Sequence, residues 1–116
     1  MPYVNTIFSS RLTEEKRDIL KARIGKAIEI FPGKSEEWLF VEVQDERELY
    51  FKGIKSEKAA IIEVKLFGKQ TREVKDEFTA AICELLEKEL SIPGENVYVI
   101  FEEVEEDNWG WNGGLF

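Results

Sequence analysis

The chain has few side chains that could carry acid/base or metal chemistry. Its 116 residues contain no histidine and one cysteine, Cys83. An intrachain disulfide, a zinc cluster and the usual histidine general base are therefore excluded. Most familiar catalytic arrangements disappear with them, and neither a metal nor another cofactor is expected.

The charge and hydropathy of the chain limit its partners. Sixteen lysines and arginines stand against 24 aspartates and glutamates, which gives a formal net charge of −8. Such a charge disfavours nucleic acid or an anionic membrane as a partner, and an anionic ligand would need a local cation to overcome it. No run approaches the roughly 20 apolar residues of a membrane span. The first residues do not resemble a signal segment, so we expect a cytoplasmic location.

The elements that would position a site follow a repeated order. Residues 3–8 favour a strand, Thr13 followed by two glutamates is typical of a helix N-cap, and residues 38–44 alternate as a second strand. Between the strands, apolar side chains recur at steps of three and four residues and define one helix face: Leu20, Ile24, Ala27, Ile28 and Phe31. Pro32-Gly33 ends this helix, and the first half therefore predicts a βαβ unit.

The second half of the chain repeats this order. Residues 59–67 and 96–103 favour strands, and Thr71 is a second N-cap that follows Thr13 by 58 residues. The helical stripe between them contains Val74, Phe78, Ala81, Ile82, Leu85, Leu86 and Leu90. The common offset indicates two βαβ units related by duplication. Residues 47–53, between the units, predict one short extra strand.

Two βαβ units predict a single α/β (α+β) domain over residues 1–116, with two helices on one face of a four-stranded mixed sheet. The second face would then lack a cover. Its predicted apolar members are Tyr3, Ile7, Trp38, Phe40, Ile61, Phe67, Tyr98 and Ile100, and its polar members are Asn5, Glu42, Glu63, Lys65 and Glu102. So much apolar surface predicts contact with other subunits. The alternative is a monomer whose second face is solvated.

The carboxyl end has no regular pattern. Residues 102–107 form an acidic run typical of a solvated strand end and turn. Residues 108–116 set two tryptophans and a terminal phenylalanine among glycines and asparagines, which predicts an irregular segment. Its rings would either complete the core or form a pocket wall, and composition alone favours the core.

Four stretches carry a family resemblance that extends over the whole chain. They are Pro2-Tyr3-Val4-Asn5-Thr6 directly after Met1, Pro32-Gly33-Lys34, Asn96-Val97-Tyr98-Val99, and Trp109-Gly110-Trp111-Asn112 ending at Phe116. Together they resemble the macrophage migration inhibitory factor family of the tautomerase superfamily. The resemblance implies a homotrimer with sites at subunit interfaces and an initiator methionine that is removed. It also implies a keto-enol tautomerase that acts on a small anionic aromatic 2-keto acid such as phenylpyruvate.

The resemblance implies roles for particular residues. Pro2, with a free secondary amine, would be the general acid/base, and Lys34 would bind the substrate carboxylate and depress the pKa of Pro2. Phe67 would offer its backbone N–H. Tyr98 would enter from the neighbouring subunit. The remaining pocket residues would be Ile100, Trp109, Trp111 and Phe116.

The same residues also have structural interpretations. Without the resemblance, Pro2 is an ordinary proline at the first residue of a strand, and Lys34 is one of many solvated lysines. Ile100 stands where the mammalian cytokines carry an asparagine, so the pocket should be more apolar. The family's Cys-X-X-Cys segment is absent near residues 58–61, so thiol oxidoreductase activity is not expected. The alternative function is a non-catalytic, cytokine-like or protein-binding trimer with a vestigial pocket.

Overall fold

Strands and helices alternate along the chain in two βαβ units, as seen in a computed structural model that describes residues 1–116. The elements in chain order are β1 (Pro2–Phe8), α1 (Glu14–Ala27), β2 (Phe40–Gln44), β3 (Tyr50–Phe51), β4 (Ile54–Lys55), β5 (Ala60–Phe67), α2 (Arg72–Leu90), β6 (Val97–Val104), β7 (Gly110–Trp111) and β8 (Gly114–Leu115). No helix combines the length and the apolar character needed to cross a bilayer.

The main sheet has four strands in the order β2-β1-β5-β6. β1 is parallel to β2, β5 is parallel to β6, and β1 and β5 meet antiparallel at the centre. Each parallel pair is the product of one βαβ crossover. The predicted fold class, a duplicated βαβ with a four-stranded mixed sheet and two helices on one face, is confirmed.

The two helices begin where the sequence predicts. The hydroxyls of Thr13 and Thr71 accept hydrogen bonds from the backbone N–H of Lys16 (3.2 Å) and Val74 (3.3 Å). Each cap satisfies one donor that the first helical turn leaves without a partner. α2 ends at Ser91, which adopts a left-handed conformation with φ of 57°.

The core lies between the helices and one face of the sheet. Every second residue of the two central strands is buried there: Val4, Thr6, Phe8, Ala60, Ile62, Val64 and Leu66. The helices contribute Leu20, Ile24, Phe78, Ile82, Leu85 and Leu86. This period-two separation fixes the register of the strands, because a slip of one residue would expose the whole set.

The second sheet face is uncovered in the single chain, and apolar and polar side chains mix on it. Phe40 is 78% exposed. Near it the Tyr3 hydroxyl donates to Glu42 at 2.6 Å, and the Asn5 amide donates to Glu63 at 2.9 Å. The hydrogen bond to Glu42 raises the pKa of Tyr3 to about 12. The face therefore combines apolar surface with an ordered polar network, as its alternation predicts.

Two local predictions in the middle of the chain need correction. Residues 38–44 are not one strand, because Glu36–Trp38 forms a 3-10 turn and the strand begins at Phe40. Residues 47–53 do not form one strand either; β3 and β4 make a hairpin. Its turn residues Lys52 and Gly53 have φ of 56° and 78°, the conformation that the twist of a two-residue hairpin requires.

The carboxyl-terminal segment is not irregular, and it does not join the core. β7 and β8 form a second small hairpin around Asn112 and Gly113, with φ of 49° and 89°. Trp111 and Phe116 are 53% and 39% exposed. The prediction that these rings complete the core is wrong, because the helices already close the core and this segment lies beyond the end of β6.

Candidate active site

The candidate site lies where β1 begins and β5 ends. Pro2 is buried at the first position of β1, where the missing N–H of a proline is tolerated, and it lies opposite Leu66 of β5. The next residue of β5, Phe67, donates its backbone N–H to the Met1 carbonyl oxygen at 3.0 Å. The chain start is thus held by a backbone hydrogen bond at the end of the neighbouring strand.

Lys34 reaches the same place from the loop after α1. Its Nζ donates to the Phe67 carbonyl oxygen at 2.9 Å and lies 5.7 Å from the centroid of the Phe67 ring. Gly33, with φ of 78°, turns the chain just before this lysine. The ammonium is therefore anchored at one edge of an aromatic ring, beside the amino terminus.

The environment disfavours a charged amine at this position. Burial, followed by the like charge and hydrogen bonding of Lys34, lowers the pKa of the Met1 amino group to about 6. In the chain that carries Met1, the Pro2 nitrogen is an amide and holds no proton to exchange. This environment is therefore that of an amino group one residue ahead of Pro2.

An aromatic wall surrounds Phe67. Its ring centroid lies 5.1 Å from that of Phe116 and 6.1 Å from that of Trp109. Phe116 stacks on Trp111 at 6.1 Å with an angle of 8°, and its backbone N–H donates to the Trp109 carbonyl at 3.2 Å. The carboxyl-terminal hairpin is thus tied to the end of β5.

Trp38 belongs to this wall, although sequence reasoning assigned it no site role. Its ring meets Trp111 edge to face at 5.1 Å and 80°. The 3-10 turn that carries Trp38 follows the Lys34 loop, so the loop lysine and this indole approach the site together. A large aromatic four residues after the loop lysine was the available signal.

An open depression of about 790 Å³ continues from the wall onto the second sheet face. Tyr3 and Trp109 line it, together with Lys65 and the carboxylates Glu102 and Glu103. Lys65 lies 4.0 Å from Glu102. Carboxylates thus border the aromatic wall on this side, and Lys34 is the cation placed against Phe67.

Tyr98 and Ile100 lie away from this cluster. Tyr98 pairs with Ile61 on β5, and Ile61 pairs with Ile7, at the opposite end of β1 from Pro2. Ile7 lies five residue steps along the strand from Pro2, which corresponds to about 17 Å. Of the predicted site residues, the single chain brings together Pro2, Lys34, Phe67, Trp109, Trp111 and Phe116. It does not bring Tyr98 or Ile100 to them.

Comparison with known proteins identifies relatives of this chain. The model of the tautomerase enzyme family matches residues 61–116. The structure of Leishmania major MIF2 superposes with a TM-score of 0.87 at 31% identity and covers 100% of this chain and 97% of that chain. The macrophage migration inhibitory factor-like protein of Entamoeba histolytica has a TM-score of 0.87 at 25% identity, with 99% and 98% covered.

A curated sequence relative extends the likeness beyond unicellular organisms. The macrophage migration inhibitory factor of Xenopus laevis is 26% identical over 113 residues, which covers 97% of each chain. Similarity in sequence and in structure thus extends over the full length of the chain. The chain belongs to the macrophage migration inhibitory factor family, within the tautomerase superfamily.

Proposed function

We propose that this protein is a keto-enol tautomerase of arylpyruvate-type 2-keto acids, with the nitrogen of Pro2 as the general acid/base after Met1 is removed. The observation that carries this proposal is the environment of the amino terminus. Burial and then the neighbouring charge of Lys34 lower the pKa of the Met1 amino group to about 6, and the Pro2 amine would meet the same two influences after processing. At pH 7 such an amine is mostly neutral and can accept a proton, which a free proline amine cannot do to the same extent.

The proton transfer needs no cofactor. The neutral Pro2 nitrogen takes the proton from the enol oxygen, and the electron pair of that O–H bond forms the carbonyl. The electrons of the C=C bond then take the proton from the Pro2 ammonium at the carbon next to the carbonyl. One residue thus carries the proton from oxygen to carbon and ends neutral again.

The groups around Pro2 suit an aromatic keto acid. The ammonium of Lys34 would bind the carboxylate, against the net charge of −8. Removal of Met1 also takes away the acceptor of the Phe67 N–H, which leaves this donor free for a substrate oxygen. The rings of Phe67, Trp111 and Phe116 would contact the aryl group.

The proposed enzyme is a homotrimer with its sites at subunit interfaces. Tyr98 lies too far from Pro2 to serve the site of its own chain, so it would complete the site of a neighbouring subunit. The uncovered second sheet face, with Phe40 and Ile100 exposed, offers the apolar surface for this assembly. Ile100 beside Tyr98 would make this part of the pocket apolar.

The test is an enol-to-keto assay of phenylpyruvate with the processed protein and its Pro2→Gly variant. Intact mass first establishes that Met1 is absent, and light scattering measures the molar mass of the particle. We expect a trimer whose catalysed rate falls by ~10²–10⁴ in Pro2→Gly, the usual contribution of a general acid/base. Equal rates for the two proteins would reject the role of Pro2. A processed trimer without activity would favour the protein-binding function instead.

A further inference from the structure

The β3–β4 hairpin carries Phe51 against Tyr98. The two rings meet edge to face, with centroids 5.7 Å apart and an angle of 90°. A small apolar cavity of about 110 Å³ separates the hairpin from β5 and β6, and both rings line it. The hairpin thus touches the sheet at the tyrosine that lies far from the active site of its own chain.

Backbone hydrogen bonds fix the place of this hairpin. The N–H of Arg47 donates to the Phe8 carbonyl at 3.0 Å, and the N–H of Ser56 closes the hairpin on the Leu49 carbonyl at 2.9 Å. Phe51 is half-buried and is absent from the main core cluster. Its ring therefore stands on a fixed backbone and packs outside the core, so its effect on stability should be small.

Tyr98 needs such a support. It is 59% exposed, and unlike Tyr3 and Tyr50, which donate their hydroxyls to Glu42 and Glu48, it has no carboxylate partner. A tyrosine ring on an exposed sheet face can turn about its side-chain bonds unless a neighbour blocks it. The perpendicular Phe51 ring is that neighbour.

We propose that Phe51 is a positioning residue that holds the Tyr98 ring so that its hydroxyl points into the active site of the adjacent subunit. This inference rests on the proposed function. Phe51 itself lies beside Tyr98 and does not touch the substrate, so its effect on the reaction passes entirely through the tyrosine. Loss of the ring should weaken substrate binding more than it slows proton transfer at Pro2.

The test is a double-mutant cycle on phenylpyruvate tautomerisation by the processed trimer. Phe51→Leu should raise KM about threefold to tenfold, the equivalent of one edge-to-face contact, while kcat changes less than twofold. In a Tyr98→Phe background the same substitution should have no further effect on KM, because the hydroxyl that it positions is gone. Phe51→Tyr keeps the ring and should restore the wild-type KM.

A matched control lies on the same hairpin. Ile54 is 71% exposed and does not line the cavity that Phe51 and Tyr98 share. Ile54→Ala should leave KM within twofold of wild type, and the molar mass of every variant should remain that of the trimer.

The results separate the two proposals. If wild type is active and Pro2→Gly is not, an unchanged KM in Phe51→Leu rejects the positioning role alone. The positioning role is also rejected if the KM increases of Phe51→Leu and Tyr98→Phe multiply in the double variant. It is rejected too if Ile54→Ala raises KM as much as Phe51→Leu does. If the processed wild type is inactive, both proposals fail together.

Discussion

The two ends of the β1–β5 pair have the same backbone geometry and different chemistry. At one end the Phe67 N–H donates to the Met1 carbonyl at 3.0 Å, and at the other the Ser9 N–H donates to the Ala59 carbonyl at 3.2 Å. The members of these two bonds are related by the 58-residue offset of the duplication. The internal duplication thus builds two equivalent positions at opposite ends of one antiparallel pair.

The two ends differ in the residues and chemical groups that lie there. Before Ala59 the chain continues, and the Ser9 hydroxyl accepts the Ala59 N–H at 2.9 Å, so no amine exists there. The loop cation differs as well, because Lys34 follows Pro32-Gly33 while Glu95 follows Pro93-Gly94. The scaffold is therefore not what makes one end a candidate site. The start of the chain and one loop residue make the difference.

Other equivalent residues make the same contacts in both halves, and these contacts belong to the scaffold. Asp45 accepts the Leu12 N–H at 2.8 Å and pairs with Arg17 at 2.7 Å. The equivalent Glu103 accepts the Gln70 N–H at 2.7 Å and pairs with Lys75 at 3.3 Å. In both halves a carboxylate near the end of a strand fastens the loop that leads into the helix.

The largest expected effect comes from making the first end resemble the second. One leucine inserted between Met1 and Pro2 extends the chain past the strand start and converts the Pro2 nitrogen to an amide. We expect tautomerase activity to fall by ~10²–10⁴, the contribution of a general acid/base. The thermal unfolding midpoint should remain close to that of the processed protein. Activity within tenfold of wild type would refute a catalytic amine.

Exchange of the loop cation should give the next largest effect. Lys34→Glu installs the charge type of Glu95 and removes a charge-assisted hydrogen bond, so kcat/KM for phenylpyruvate should fall about tenfold to a hundredfold. In the proposed mechanism the neutral amine is the base, so activity should rise as the pH increases through the amine pKa. Without Lys34 the charged amine is less disfavoured, its pKa rises, and the acid limb of the pH profile moves to higher pH.

The matched control for this exchange is Lys26→Glu, which changes the net charge equally at an exposed residue at the end of α1. Its kcat/KM and pH profile should match those of wild type. A similar loss in both variants would mean that overall charge, and not the place of Lys34, governs binding.

The scaffold carboxylates should respond alike in the two halves. Asp45→Asn and Glu103→Gln should each lower the free energy of unfolding at pH 7 by about 1 to 2 kcal/mol, since the neutral amide lacks the charge that strengthens the hydrogen bond and forms the ion pair. Backbone N–H donation, from Leu12 and Gln70 respectively, is the first cause that lowers the pKa of each carboxyl in the folded protein. The stabilisation is therefore present above the unfolded pKa values and disappears as the pH falls through the folded ones.

Urea denaturation at pH 7 and at progressively lower pH measures the free energy of unfolding of each protein. The difference in this free energy between each variant and wild type should become smaller as the pH falls. A gap that stays constant down to pH 2 would show that the charge of the carboxylate is not its source.

The smallest expected effect concerns the two helix caps. Thr13→Ala and Thr71→Ala should each cost about 1 kcal/mol, because each leaves one backbone donor of the first helical turn without its hydroxyl acceptor. Thr79→Ala is the control, since that hydroxyl bonds to the Lys75 carbonyl within the helix and caps nothing. Unequal costs at the two caps would show that the halves differ in stability as well as in chemistry.

The regular part of the fold could be predicted from local patterns. Hydrophobic periodicity separates the buried face, with Val4 and Ile62, from the uncovered face, with Glu42 and Glu63, and the common offset of Thr13 and Thr71 gives the duplication. Each strand and helix depends on residues near one another along the chain, where period and capping are visible, and the duplication is a repeat of these local patterns.

The site could not be derived in the same way, because its contacts join distant residues. Lys34 meets Phe67 across 33 positions, and Trp38 meets Trp111 from the other half of the molecule. No local period indicates such pairs, so the roles of Pro2 and Lys34 came from the family resemblance. The carboxyl-terminal hairpin, in contrast, has a local signal, because Asn112-Gly113 is a strong two-residue turn sequence. The strands on either side are only two residues long, too short to show an alternating pattern.

Both ends of the polypeptide converge on Phe67, and this affects any recombinant preparation. An affinity tag in front of Pro2 would keep a carbonyl on the Phe67 N–H, as Met1 does, and under the proposed function it would abolish activity without unfolding the protein. An extension after Phe116 would crowd the ring that packs 5.1 Å from Phe67.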